Sequence, residues 1–287
     1  MQSIISGILI GGIYGLVSMG LSLIFGVMRI VNFAHGELVM LAMYGTFFGV
    51  TLLSMDPFLT IVLTAPLLFL IGVAIQKYFV QSLIGPNDTP QLLLTVGISL
   101  LLQNIVLILF TADHRSLFTD YAIVYYNVGG ISINKAQLYA FIVALLCSAA
   151  MSLFLTRTDM GKALRATVND LEMAELVGID TKKIYMIAFG IGAMLAGIGG
   201  SALMSYYPAN PTVGHQFLVI AFVSVVMAGM GNALGAFISG MIIGVIQQLT
   251  ATYIAVDMQN VAIFVLFILL LVFRPNGIFS RKAGARI

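Results

Sequence analysis

The sequence predicts an all-α, polytopic membrane protein, and three observations carry that reading. Apolar residues make up 60% of the 287-residue chain and charged residues only 8%, where soluble domains carry about 25% charge. The apolar residues fall in runs of about 20, the length that crosses a bilayer as a helix. Ten of the 24 charged residues (13 basic and 11 acidic in all) are gathered in one stretch, Arg157 to Lys183.

Candidate spans lie near residues 3–27, 38–55, 58–76, 91–110, 136–155, 184–206, 216–251 and 259–273. The first has no positive leader and is too long for a signal peptide, so it reads as a retained span. The seventh is too long for one straight crossing. Gly229, Gly231, Gly235, Gly240 and Gly244, with the polar Asn232, predict a broken or re-entrant glycine-rich segment, which a membrane tolerates only where protein surrounds it. The count is therefore eight or nine transmembrane segments in a single domain, 1–287. Gly229, Gly231, Gly235 and Gly240 are the hinge candidates.

Orientation follows from lysine and arginine. With 157–183 on the cytoplasmic side, Arg29, Lys77, Arg274, Arg281, Lys282 and Arg286 fall there too, leaving only Arg115 and Lys135 outside. That bias favours an outside N-terminus, a cytoplasmic C-terminus and an odd number of crossings. A net charge of +2 and the lack of basic runs interleaved with aromatics give no support for nucleic-acid binding. The lone Cys147, in an apolar run, reads as a small buried residue.

The Arg157–Lys183 stretch has five basic and five acidic residues. Asp159 is suited to cap a helix that runs to Gly178, a natural left-handed stop. Leu164, Val168, Leu171 and Ala174 share one face of it, and Lys162, Arg165, Asn169 and Glu172 the other. Asp180 or Thr181 then caps the next helix. The stretch fits either a solvated helical loop or an exposed helix that docks in a partner's groove.

Between the first two spans, RIVNFAHGELVM packs Arg29, Asn32, His35 and Glu37 into an otherwise apolar segment. An ordinary turn would be rich in Gly, Pro, Ser and Lys. Ionisable groups at membrane depth need partners, so the segment reads as buried or re-entrant. Two roles fit: an Arg29–Glu37 link pinning the two spans, or a part in the gate or path. Gln103, Asn104, Gln247 and Gln248 lie within spans, where an amide serves either interhelical bonding or a zwitterionic solute.

Several function classes lack their chemistry here. Every Asp and Glu falls in a loop or at a span end, whereas ion-driven carriers keep a carboxylate or a discontinuous ion site near the midplane. His35, His114 and His215 show no HExxH spacing or Ser–His–Asp pattern, and no GxxxxGK[ST] loop is present to bind ATP. The residues leave three classes open: a transport subunit powered by partners, a secondary carrier, or a non-transporting scaffold.

GGIYGLVSMGLSLIFGVMRIVNFAHGELVMLAMY resembles the first two spans of the LivH-type permeases of bacterial branched-chain amino-acid ABC transporters, in which a run like VNFAHGE is a hallmark. GKALRATVNDLEMAELVGID resembles that family's cytoplasmic segment that docks on the ATPase. VMAGMGNALGAFISGMIIGVIQQ and RPNGIF resemble its late glycine-rich segment and C-terminal end. Ala228, Asn232 and Leu234 stand where the family usually has glycine, serine and proline. Related permeases for urea and short amides carry similar motifs.

The resemblance implies a permease subunit of the bacterial inner membrane that moves branched-chain amino acids inward by ATP-driven alternating access. Its implied partners are a second, LivM-like permease, two ATPase subunits that bind ATP and Mg, and a periplasmic binding protein. This chain itself would bind no cofactor or metal. Asp159, Gly161, Lys162, Arg165, Asp170, Glu172 and Gly178 would form the ATPase-coupling surface. Tyr14, Arg29, Asn32, His35, Glu37, Gln103, Asn104, Gln247 and Gln248 are candidates for the gate or path.

Overall fold

The computed structural model describes residues 1–84, 89–117 and 119–279. Arg281, Lys282 and Arg286 of the charge count lie outside the described residues. In chain order the helices are α1 (Gln2–Met28), α2 (His35–Leu53), α3 (Ile61–Ile75, continued by irregular turns to Leu83), α4 (Thr89–Phe110), the short α5 (Asp120–Ile123), α6 (Lys135–Arg157), α7 (Asp159–Asn169), α8 (Leu171–Leu176), α9 (Thr181–Leu203), α10 (Val213–Ala228), α11 (Ala233–Tyr253) and α12 (Gln259–Phe273). A hairpin of β1 (Tyr125–Val128) and β2 (Ile131–Asn134) precedes α6. Among the described residues, eight helices are long and apolar enough to cross a membrane; α10 is shorter. The run from 216 to 251 is thus two helices, parted at Gly229–Asn232.

α1 and α9 form the centre: 83% of the most apolar stretch of each is buried, against 17% in α4 and 11% in the last span. What brings them together is glycine. A methyl on Gly7 would meet Val245, on Gly11 Met241 and on Gly15 Phe237, so α11 runs antiparallel to α1 at backbone contact. Gly20 meets Gly192 and Gly199 meets Val17, which sets α9 antiparallel on another face of α1. Gly72 and Gly197 bring α3 against α9 in the same way. Close backbone approach of this kind supplies the packing that takes the place of hydrophobic drive inside a bilayer.

Side-chain caps fix where the helices begin. Asn134 Oδ1 accepts the Ala136 and Gln137 amides to start α6, and Asn232 Oδ1 accepts the Gly235 amide at 3.0 Å to start α11. At the end of the bundle away from α7, Gln2 exchanges two bonds with the Ser132 backbone, fastening α1 to β2.

Two helices start inside the bundle rather than at its surface. The His35 Nε2 lies 3.0 Å from the carbonyl of Val17, eleven residues before α1 ends, or about 16 Å along its axis. Residues 29–34 therefore turn back into the protein before α2 begins. Two bonds hold this segment: Asn32 Oδ1 accepts the Ala34 amide at 3.1 Å, and the Val31 carbonyl accepts from Thr95 of α4 at 3.3 Å. α10 starts at the same depth, since a methyl on Gly36 would strike the Gly214 carbonyl.

Candidate functional site

The polar centre is built where α2 and α10 begin. Asn32, His35 and Glu37 are buried to within 1% of full exclusion. Glu37 sits in the first turn of α2, and its Oε1 accepts a bond from Ser99 of α4 at 3.2 Å. Its Oε2 faces Gly214, where an added methyl would lie 2.5 Å away. The carboxyl thus stands between the N-terminal turns of two helices, whose dipoles favour negative charge. Asn32 Nδ2, His35 Nδ1 and Glu37 Oε2 have no partner among the described residues. These are groups that a water, a solute or a second conformation would satisfy.

Arg29 is not part of this centre. The Arg29–Glu37 link, one of the two roles the sequence allows, is absent: Arg29 is exposed, in the left-handed conformation that ends α1 (φ 56°), with its amide bonded to the Phe25 carbonyl. The reason is depth, because α1 continues well past the level at which α2 starts. Arg29 instead lines a polar cleft of about 320 Å³ with Thr167, Asn169, Asp170, Glu172 and Tyr185.

The other candidate path residues are dispersed. Tyr14 is buried in α1, its ring 6.0 Å from that of Phe217, which also meets Tyr207 edge-on at 5.6 Å. Gln247 is buried and Gln248 half-buried near the far end of α11. Asn104 is exposed on α4 and donates only to the Leu100 carbonyl, and Gln103 beside it is half-buried. The structure does not gather these amides with Glu37. Cys147 is half-buried in an apolar groove with Phe69, Met151, Ile191 and Met194. Among the described residues no three His, Cys, Asp or Glu side chains are grouped to hold a metal ion.

The surface platform consists of two helices, not the single one expected. Thr158, rather than Asp159, caps α7: its Oγ1 accepts the Gly161 amide at 3.0 Å. Asp159 is the first helical residue, ion-paired with Lys162 at 2.9 Å. Asp170 has extended backbone (φ −155°), ends α7, and caps α8 through the Met173 amide at 3.1 Å. The break rotates α8, so Leu171 is exposed while Leu164 and Ala174 are buried and Val168 half-buried. Gly161 is pressed on α6, where a methyl would strike the Phe154 carbonyl. Among the described residues, Arg165 and Glu172 are exposed and make no ion pair.

Gly178 ends α8 with φ 86°. Its amide bonds Glu175 and that of Ile179 bonds Ala174, the double bond of a left-handed helix stop. No atom lies within 4 Å of a methyl there, so Gly178→Val should act through backbone strain alone. The expected result is an intact bundle with α8 misaimed, read as near-normal thermal stability but faster proteolysis at 176–180. Asp180 caps α9 through Lys183, whose hydrogen bonds hold the Asp180 carboxyl below its usual range.

The hinge candidates divide by conformation. Gly229 and Gly231 form the α10–α11 turn with φ 87° and 89°. Gly235 and Gly240 lie within α11, in helical conformation, and Gly240 is packed against the backbone of Gly15.

Residues 3–273 match the family described as the branched-chain amino acid transport system / permease component. The chain belongs to this permease family. It is 31% identical over 300 residues to the high-affinity branched-chain amino acid transport system permease protein BraD of Pseudomonas aeruginosa, covering all of this chain and 98% of that one. It is 31% identical over 302 residues to LivH of Escherichia coli K12, covering all of this chain and 97% of LivH. A shorter match, 26% over 149 residues, joins 49% of this chain to 34% of LivM from the same organism. The protein is a multi-pass permease subunit of an importer.

Three residues of this permease escape a reading of its sequence. Preference for Thr at a helix cap would have pointed to Thr158. Ser99 and Gly214 carry no local signal, since their contacts with Glu37 cross 62 or more residues. Val168 falls on the expected apolar face, but its contacts with Gly26 of α1 and Gly231 of the α10–α11 turn carry no local signal.

Proposed function

We propose that this permease carries branched-chain amino acids into the cytoplasm as half of a membrane pair with a second, LivM-like permease. Two ATPase subunits, which bind ATP and Mg, dock on α7 and α8, and a periplasmic binding protein delivers the solute. The chain lies in the bacterial inner membrane with its N-terminus periplasmic and its C-terminus and platform cytoplasmic. The observation that carries this reading is full-length similarity to permeases named for that transport system. The platform supports it: α7 is sharply two-faced, with Leu164 buried and Arg165 exposed.

In this reading the mid-bundle starts of α2 and α10 form the gate, because irregular backbone at depth gives a bundle two arrangements of similar energy. Reversing an exposed charge normally changes stability by under about 0.5 kcal/mol, but like charges facing each other at an interface cost several times that. Arg165→Glu and Glu172→Lys should therefore keep normal membrane levels while losing ATPase co-purification and leucine uptake. Wild-type recovery of both would reduce the platform to a solvated loop. Leucine uptake competed by valine and isoleucine, and not by urea, is the expected solute profile.

A further inference from the structure

α7 touches the rest of the chain at three successive places. Gly161 is pressed on the end of α6, Leu164 is fully buried, and one turn on Val168 reaches a junction of two other elements. A methyl built on Gly26, in the last turn of α1, would lie 2.8 Å from the Cα of Gly231 and 3.5 Å from Cγ2 of Val168. One built on Gly231 would lie 3.2 Å from the Cα of Gly26 and 3.6 Å from Cγ1 of Val168. The tip of α7, the end of α1 and the α10–α11 turn therefore meet at one point, and each γ-carbon of Val168 faces a different element.

We propose that Val168 is the positioning residue through which α7 acts on the α10–α11 turn and, along α10, on the polar centre. This rests on the reading of α7 and α8 as the ATPase platform. Both neighbours of the valine are bare glycines, so a shift of α7 reaches backbone directly and is not absorbed by a flexible side chain. Gly231, with φ 89°, belongs to the turn that redirects the chain between the two helices. The turn is backed on its other side by the C-terminal segment, through the Ile278 amide to the Met227 carbonyl at 2.7 Å and Asn232 Nδ2 to the Phe279 carbonyl at 3.0 Å. From there α10 runs unbroken for 16 residues, and its second residue, Gly214, lies beside Glu37. A packed helix of that length moves as a rigid body, so displacement at one end appears at the other.

The test uses the whole transporter, permease pair with its ATPases, in proteoliposomes with the binding protein and radiolabelled leucine. Val168→Ala removes both γ-carbons, and Val168→Thr keeps the branched shape. Val168→Ala should retain its ATPases yet raise the ATP hydrolysed per leucine moved by at least about fivefold, the lower end of typical coupling between sites. Val168→Thr should stay near the wild-type ratio. If Val168→Ala is not recovered folded, Val168→Leu, which keeps apolar volume but moves the branch outward, should raise the ratio instead. An unchanged ratio with ATPases retained overturns the proposal and leaves the platform reading intact. Loss of the ATPases from Val168→Ala also overturns it, by placing the residue in docking. Failure of the wild-type permease to retain any ATPase would sink the platform reading itself.

Discussion

Gly240→Ala should sharply lower the temperature at which the folded permease survives, although it adds a single methyl to a helix. Gly240 lies where α11 crosses α1, and its new Cβ would overlap the backbone of Gly15. Gly15 in turn has no room before the Phe237 carbonyl, and Gly244 is seated on the Cα of Gly11 at 2.5 Å from an added methyl. Every obstacle is main chain, so no rotamer change relieves the collision and the helices must separate. Separation loosens the longest seam of the central helix. The expected cost is roughly 3 kcal/mol, the upper part of the range for overpacking a close-packed interior, and such a loss shifts a folding equilibrium by about a hundredfold. Gly97→Ala is the control: no atom lies within 4 Å of its added methyl, and alanine favours a helix over glycine by about 1 kcal/mol. The measurement is the monodisperse fraction surviving a temperature series in detergent. Equal survival of the two variants would mean that the α1–α11 seam has slack.

How much of this arrangement was legible depends on the range over which each feature is encoded. The spans could be read because each needs only its own apolar length, and the α10–α11 break because Gly229, Gly231 and Asn232 mark it locally. The start of α7 was misplaced by one residue because Thr158 and Asp159 are both good caps, and hydroxyl geometry, not composition, selects Thr158. The break at Asp170 was hidden for a similar reason: one extended residue among good helix formers leaves the periodicity nearly intact.

The Arg29–Glu37 pairing failed on depth. Two ionisable residues eight apart in a connecting segment invite a link, yet α2 begins far inside the point where α1 ends, so the pair is separated along the bundle axis. Which residue replaces Arg29 beside Glu37 depends on α4 and α10, and no local pattern carries that information. The amides of α4 show the same limit, since hydropathy places them in a span but does not say which face packs inward.

Glu37→Ala should reduce leucine uptake to below about a tenth of wild type, and the comparison with Glu37→Gln separates two causes. Alanine leaves a cavity and strips Ser99 of its acceptor inside the protein, an unsatisfied group that costs roughly 2 kcal/mol. Part of the loss will therefore be a lower amount of folded permease. Glutamine fills the same volume and can still accept from Ser99, so the folded amount should recover. Its second position, however, becomes an amide nitrogen beside Gly214, where the wild-type Oε2 has no hydrogen-bond partner among the described residues. The group presented to the α10 turn is then a hydrogen-bond donor and no longer a carboxyl oxygen, so it no longer matches the positive end of that helix. Uptake per folded molecule should remain at least about fivefold low, the effect of roughly 1 kcal/mol on the balance between two arrangements. Asp257→Ala, on an exposed turn, should be silent in both measurements. If Glu37→Gln transports at the wild-type rate per molecule, the carboxyl serves only as filler and acceptor for Ser99, and the two helix starts form a fixed joint, not a gate.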